Sequence, residues 1–266
     1  MSMLQELACD PQLSPVHLFG VELDPLRMPD AVSRIKNWVA DPNARCRYVV
    51  TPNVDHTVLL RRDARLQAAY RDADLVLADG WPIVLASRLV GKALPERVAG
   101  SDLVPRLFTA ADAERRVFLL GAAPGVADRA ATNIQRRWDR VTIVGTYSPP
   151  LGFERDQQEN RSILERISQA EPDVLVVGLG APKQELWVHA HRERIEAKAV
   201  LCVGATIDFL AGEKKRAPIL WQRVGLEWLF RMLSDPRRLV RRYARDAVIF
   251  PQLVWQEWQQ TRSQSG

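Results

Sequence analysis

The chain has 266 residues, 47% hydrophobic and 26% charged, with three cysteines and a net charge of +5. That length suits one large α/β domain, or a domain of about 200 residues with an appendage. Cys9, Cys46 and Cys202 are odd in number and form no CxxC pair, which argues against a disulfide framework or a zinc cluster and for a reducing cytoplasm.

The N-terminus carries acids, Pro11 and Pro15, without a basic start followed by an apolar core, so it does not read as a signal peptide. No run approaches the roughly 18 apolar residues of a membrane-spanning helix, and the chain reads as soluble or surface-bound. Short Val- and Leu-rich runs follow at 17–21, 48–50, 75–78, 117–120, 141–144, 174–177 and 200–203. They are apolar on successive positions, as strands buried on both faces are. Helical spacing fills the intervals, as at 124–138 and 156–170. This alternation predicts an α/β fold: a mainly parallel, Rossmann-like sheet with helices on both faces. The strand pattern stops at Val203. Beyond the stretch 204–212 everything is helical, with Pro236 separating segments at 218–234 and 236–258, because proline suits a first helical turn. Residues 1–210 are therefore expected to form an α/β domain and 211–266 a C-terminal helical appendage.

In an open parallel sheet, ligands bind beyond the carboxyl ends of the strands. Five such ends carry polar residues and glycines: Thr51-Pro52-Asn53-Val54-Asp55, Asp79-Gly80-Trp81-Pro82, 121–125, 178–185 with Gln184, and 204–208 ending in Asp208. Asp79 follows an apolar strand and precedes a glycine. It is either a cap for the helix beginning at Pro82 or a general base that takes a proton from an attacking hydroxyl. Residues 121–125 form either a tight strand–helix turn or a place where backbone amides approach a diphosphate. The Gln184 amide, which donates and accepts together, suits the edge of a uracil, although a solvated glutamine is the plainer reading.

Asp72-Ala73-Asp74 has the DxD form used by many sugar-nucleotide enzymes to hold a divalent metal. It precedes its strand, so it should lie at the amino end of the sheet as a solvated turn, and no metal site is expected. His189 and His191, two apart, face different ways on a helix.

The charge is concentrated in the tail. Residues 211–266 hold eleven Lys and Arg against five Asp and Glu, a net of +6, while the other 210 residues carry a net of −1. Arg238, Arg241, Arg242 and Arg245 share one helical face, with Leu239, Val240, Tyr243, Ala247 and Phe250 largely on another and Trp255 and Trp258 beyond. That is the pattern of an interfacial helix on anionic lipid. The alternative is a helix packed on the core with a solvated basic face. Nucleic acid is not expected as a partner, because no recognised binding module is present.

The rim stretches resemble the WecG/TagA/CpsF glycosyltransferases, glycosyltransferase family 26. The resemblance is carried by Thr51-Pro52-Asn53, residues 73–80 ending in Asp79-Gly80, 94–102 with Arg97, 117–125, 178–185, 204–212, Lys215-Arg216-Ala217-Pro218 and 226–231, and it spans about Leu18 to Tyr243. It implies an inverting, metal-independent transferase without a cofactor. The implied donor is a UDP-sugar of the N-acetylmannosamine type, and the acceptor a polyprenyl-diphosphate-linked saccharide of bacterial surface-polymer synthesis. A cytoplasmic protein held on the anionic inner face of the membrane follows from such an acceptor. Carried onto matching positions, Asp79 is the base, Thr51 and Asn53 shape its pocket, and Arg97 lines it. Gln184 meets the uridine with Asp208 close by, and Arg231, Arg238 and Arg241 of the appendage close over the site. The alternatives are a UDP-glucose-dependent enzyme of xanthan-like polymer assembly and, from another class, a non-enzymatic nucleotide- or RNA-binding module.

Overall fold

The computed structural model describes residues 14–43, 46–214, 217–218, 221, 227–234 and 236–264. The first apolar run is not a strand of the main sheet. It folds as an antiparallel hairpin, β1 (Val16–Leu18) with β2 (Val21–Leu23). The chain reverses at Phe19 and Gly20, both with positive φ, 55° and 80°. A two-residue turn of this kind matches the twist of the strands it joins, and glycine adopts it without a Cβ penalty.

Then follow α1 (Met28–Ala40), β3 (Arg47–Val50), α2 (Val54–Leu60), α3 (Ala64–Arg71) and β4 (Leu75–Val76). α4 (Trp81–Leu89) and α5 (Gly100–Thr109) lead into β5 (Arg115–Gly121), α6 (Val126–Arg137), β6 (Val141–Tyr147) and α7 (Gln157–Ala170). β7 (Val174–Gly178), α8 (Lys183–His191), β8 (Ala199–Cys202) and α9 (Thr206–Leu210) complete the alternation. Among the described residues the tail holds two further helices, Glu227–Ser234 and Pro236–Gln264, the second running six residues beyond the expected end at Trp258.

The six remaining strands form one sheet in the order β4-β3-β8-β7-β5-β6, and every pairing is parallel. Their side chains alternate between two apolar cores. Tyr48, Val50, Leu120, Val177 and Cys202 enter one, and Val49, Leu119, Val176 and Leu201 the other. Both faces are covered by helices, which is why the strands read as unbroken apolar runs. β5 and β7 are neighbours, yet β5 leads on to β6 at one edge and β7 leads on to β8 in the other direction. Divergence of this sort opens a crevice at the carboxyl ends of the two strands.

The C-terminal helix Pro236–Gln264 lies on the body of the protein. Leu239 and Leu253 are buried, and the Phe250 ring sits 5.2 Å from Phe19. Glu257 accepts the Phe19 N–H at 2.8 Å and the Lys92 ammonium at 3.2 Å. The hairpin thus seats the far half of this helix. Arg242 and Arg245, expected on a face turned to lipid, instead grip the buried carboxylate of Asp55 on α2, at 3.3 and 2.5 Å. A buried carboxylate draws the two arginines of the neighbouring helix inward, and helical spacing alone does not reveal such a partner. Among the described residues no helix is long and apolar enough to cross a membrane.

Candidate active site

The edge of the sheet formed by β3 and β4 brings together residues from three rim stretches. The Asp79 N–H donates to Pro52 O at 2.8 Å, joining the segment after β4 to the one after β3. α4 begins at Trp81 with Gly80 in the cap position and no side-chain cap, so Asp79 does not serve as the helix cap. Asp79 Oδ1 stands 3.7 Å from Arg97 Nη1, and Arg97 Nη2 donates to Asp102 Oδ2 at 2.9 Å. The guanidinium is mostly buried between these carboxylates, so water screens it poorly. Asn53 completes this corner, because its Cβ and Cα would lie 3.8 and 3.9 Å from a Cβ added at Gly80. Asp102, on the first turn of α5, was not singled out from the sequence. Its signal was the five-residue interval from Arg97 within the stretch 94–102.

The other expected residues are placed differently. Thr51 is buried, and its hydroxyl donates to Cys202 O on the adjacent β8 at 3.2 Å. Gln184 is buried in the first turn of α8, not solvated. Its Oε1 accepts the Gly204 N–H at 3.1 Å and its Nε2 donates to Glu185 at 2.8 Å, so the amide joins the ends of β7 and β8. Asp208 on α9 pairs with Lys214 at 3.0 Å. Arg241 is exposed on the C-terminal helix. The side chains of Arg231 and Arg238 lie outside the described residues.

The crevice between β5 and β7 is built for close backbone approach. Gly121 has φ 115°, and a Cβ there would come within 2.6 Å of Gly178 C and O. The Ala122 N–H donates to Gly178 O at 3.1 Å, and Ser148 Oγ donates to Gly121 O at 3.2 Å. α6 then starts after Gly125 with no side-chain cap, and its first N–H, that of Val126, donates to Ala123 O at 3.0 Å.

Asp72 and Asp74 lie before β4, at the opposite end of the sheet. Asp72 pairs with His189 at 2.8 Å. Asp74 is less solvated than a simple turn would be, for it binds Arg192 at 3.1 Å and accepts the Tyr48 N–H at 3.0 Å. His189 and His191 diverge, the latter meeting Trp187 O at 2.8 Å.

A parallel sheet with a carboxylate beside a buried arginine at one part of its rim, and glycines at its switch point, makes this an α/β protein whose candidate site lies at the carboxyl ends of its strands. A family model, Glycosyl transferase WecG/TagA/CpsF family, matches residues 16–264. The N-acetylglucosaminyldiphosphoundecaprenol N-acetyl-beta-D-mannosaminyltransferase of Bacillus spizizenii is 34% identical over 208 residues, 78% of this chain and 78% of that protein. The enzyme of the same name from Staphylococcus aureus strain MRSA252 is 30% identical over 227 residues, 85% of this chain and 87% of that protein. The chain belongs to the WecG/TagA/CpsF family of glycosyltransferases.

Proposed function

We propose that this enzyme moves an N-acetylmannosamine-type sugar from a UDP donor to a polyprenyl-diphosphate-linked saccharide ending in N-acetylglucosamine, with inversion. Asp79 takes the proton of the acceptor hydroxyl as its oxygen bonds to the anomeric carbon. The bond from that carbon to the diphosphate breaks, and UDP leaves with the electron pair. The crevice between β5 and β7 receives the nucleotide diphosphate, and arginines 231, 238 and 241 offset its growing charge, a task their planar forks suit. Arg97, held by Asp102, fixes the side of the pocket facing Asp79. The names of the relatives support the sugar and the acceptor. The observation that carries the assignment of the base is the meeting of Asp79, Arg97 and Asn53 at one corner of the rim.

The segment from 211 onward completes this site as an appendage and rests on the cytoplasmic face of the membrane, where a polyprenyl acceptor resides. With Arg242 and Arg245 turned inward, the surface contact falls to the exposed residues Val240, Val248 and Trp255 of the C-terminal helix and to neighbouring basic groups such as Arg241. The test of the chemistry is Asp79→Asn in a UDP-release assay. Loss of a general base costs about 10²–10⁴-fold in turnover. A folded Asp79→Asn protein with wild-type turnover would show that another group takes the proton.

A further inference from the structure

Beneath the β3–β4 corner, α2 turns a second polar residue inward. His56 is buried, and Glu185 on α8 is wholly so. His56 Nε2 lies 3.3 Å from Glu185 Oε1. On the other side of the ring, Nδ1 lies 3.2 Å from Asn53 N and 3.0 Å from Asn53 Oδ1. The Asn53 N–H can only donate, and Asn53 Oδ1 already accepts the Asp55 N–H at 3.0 Å. An accepting Nδ1 serves the Asn53 N–H and leaves an Nε2–H on the side of the carboxylate, while a donating Nδ1 serves Asn53 Oδ1 instead, so one tautomer meets one of the two Asn53 contacts. Glu185 Oε1 accepts from Gln184, whose own oxygen holds the Gly204 N–H. Hydrogen bonds thus join Asn53 to His56 and Glu185 through Gln184 to Gly204, and the 3.3 Å approach of His56 Nε2 to Glu185 Oε1 sets the two groups side by side at the carboxyl ends of β3, β7 and β8. The hydrogen bond from Asp79 to Pro52 carries the link on to β4.

Cohesion between α2 and α8 does not require these polar groups. Apolar side chains of similar volume would join the helices without desolvating a carboxylate, and swaps of that kind are often neutral or stabilising. Here His56 Nε2, one carboxylate oxygen, Glu185 Oε2, and the Tyr70 hydroxyl are buried with no hydrogen-bond partner among the described residues, so His56 and Glu185 meet at 3.3 Å as neighbouring polar groups and not through a formed hydrogen bond. What polar contacts supply and apolar ones do not is direction. The imidazole holds the Asn53 backbone N–H on one side and stands 3.3 Å from the Glu185 carboxylate on the other.

We propose that His56 and Glu185 are positioning residues for glycosyl transfer, setting the placement of Asn53 and hence of the pocket wall beside Asp79. This rests on the assignment of Asp79 and Asn53 to the acceptor pocket. Misplacing a reacting group by about 1 Å can cost about 10²-fold in rate.

The test compares steady-state UDP release, with donor and acceptor varied, for the full-length wild type, His56→Leu, His56→Asn, Glu185→Gln and Asp79→Asn. His56→Leu should lower kcat about 10- to 100-fold with the donor KM changed less than about threefold, since alignment in the transition state is lost and ground-state binding is not. His56→Asn, which places a polar atom near the Nδ1 position, should recover most of kcat. Glu185→Gln, nearly isosteric, should lower kcat in the same direction. A folded His56→Leu protein with kcat within about twofold of wild type overturns the proposal, as does failure of His56→Asn to restore a lost kcat. If His56→Leu does not fold, Glu185→Gln decides, and wild-type kcat there overturns it. Asp79→Asn separates the two readings. Its inactivity beside an unimpaired His56→Leu refutes only the positioning role, whereas its full activity removes the pocket on which that role depends.

Discussion

Asp55→Asn should loosen the C-terminal helix while leaving the sheet intact. Asp55 sits in the first turn of α2, two residues beyond Asn53, with its side chain only 5% exposed. Its carboxylate takes Arg245 on one oxygen and Arg242 on the other, and each arginine side chain is 38% exposed. Breaking a fully buried pair costs about 3–5 kcal/mol, while an exposed pair contributes about 0–1 kcal/mol. With the acid buried and the arginines partly wet, about 1–3 kcal/mol is the expected loss. Asparagine keeps the volume and can accept one hydrogen bond, which favours the lower half of that range. Arg245 retains Asp246 at 3.1 Å, and the far half of the helix retains Phe250 on Phe19 and Glu257 on the hairpin. The near half should therefore open first. A urea titration should show a lower midpoint with an unchanged slope, and trypsin should cleave after Arg242 and Arg245 sooner than in wild type. An unchanged midpoint together with an unchanged digestion pattern would refute the claim that Asp55 holds this helix.

Three further outcomes are expected. Activity should persist in excess EDTA, because Asp72 and Asp74 stand at the end of the sheet away from the rim and are engaged by His189 and Arg192; loss restored by Mn²⁺ or Mg²⁺ would contradict this. Gly121→Ala should destabilise by about 2 kcal/mol or more, since φ is 115° and the new Cβ would press on Gly178 backbone at 2.6 Å; a wild-type urea midpoint would show that the crevice yields. The carboxyl of Asp246 is pushed up from its usual 3.8, first by burial and then by Asp55, against the pull of Arg245 and Arg242. The folded state thus holds this proton more tightly than the unfolded chain, and the group's contribution falls as pH rises from 3.8 through the raised value. Asp246→Asn should gain on wild type across that rise in urea midpoints taken from about pH 4 to pH 7, and a difference independent of pH would count against it.

Much of this protein was legible from local pattern. Runs such as 117–120 and 174–177 must be buried on both faces because they offer no polar alternation, and that forces a parallel sheet under two helical layers. The glycines and polar residues at strand ends followed from the same reading, since a rim is defined by where strands stop. Residues 17–21 misled because apolar character does not record a reversal, and the positive φ at Phe19 and Gly20 belongs to the hairpin. Strand order was also invisible, for no local feature of β5 and β7 says that they are neighbours whose connections diverge. The partners of polar groups escaped for the same reason. Gln184 read most plainly as a solvated glutamine, yet its buried amide is held by Gly204 and Glu185, residues brought there by β8 and by its own helix. Arg242 and Arg245 looked like a membrane face, and Asp55, some 190 positions away in sequence, turns them inward. Apolar burial is a property of each segment and is written along the chain. Pairing of charges and hydrogen bonds depends on which segments meet, and only the folded arrangement decides that.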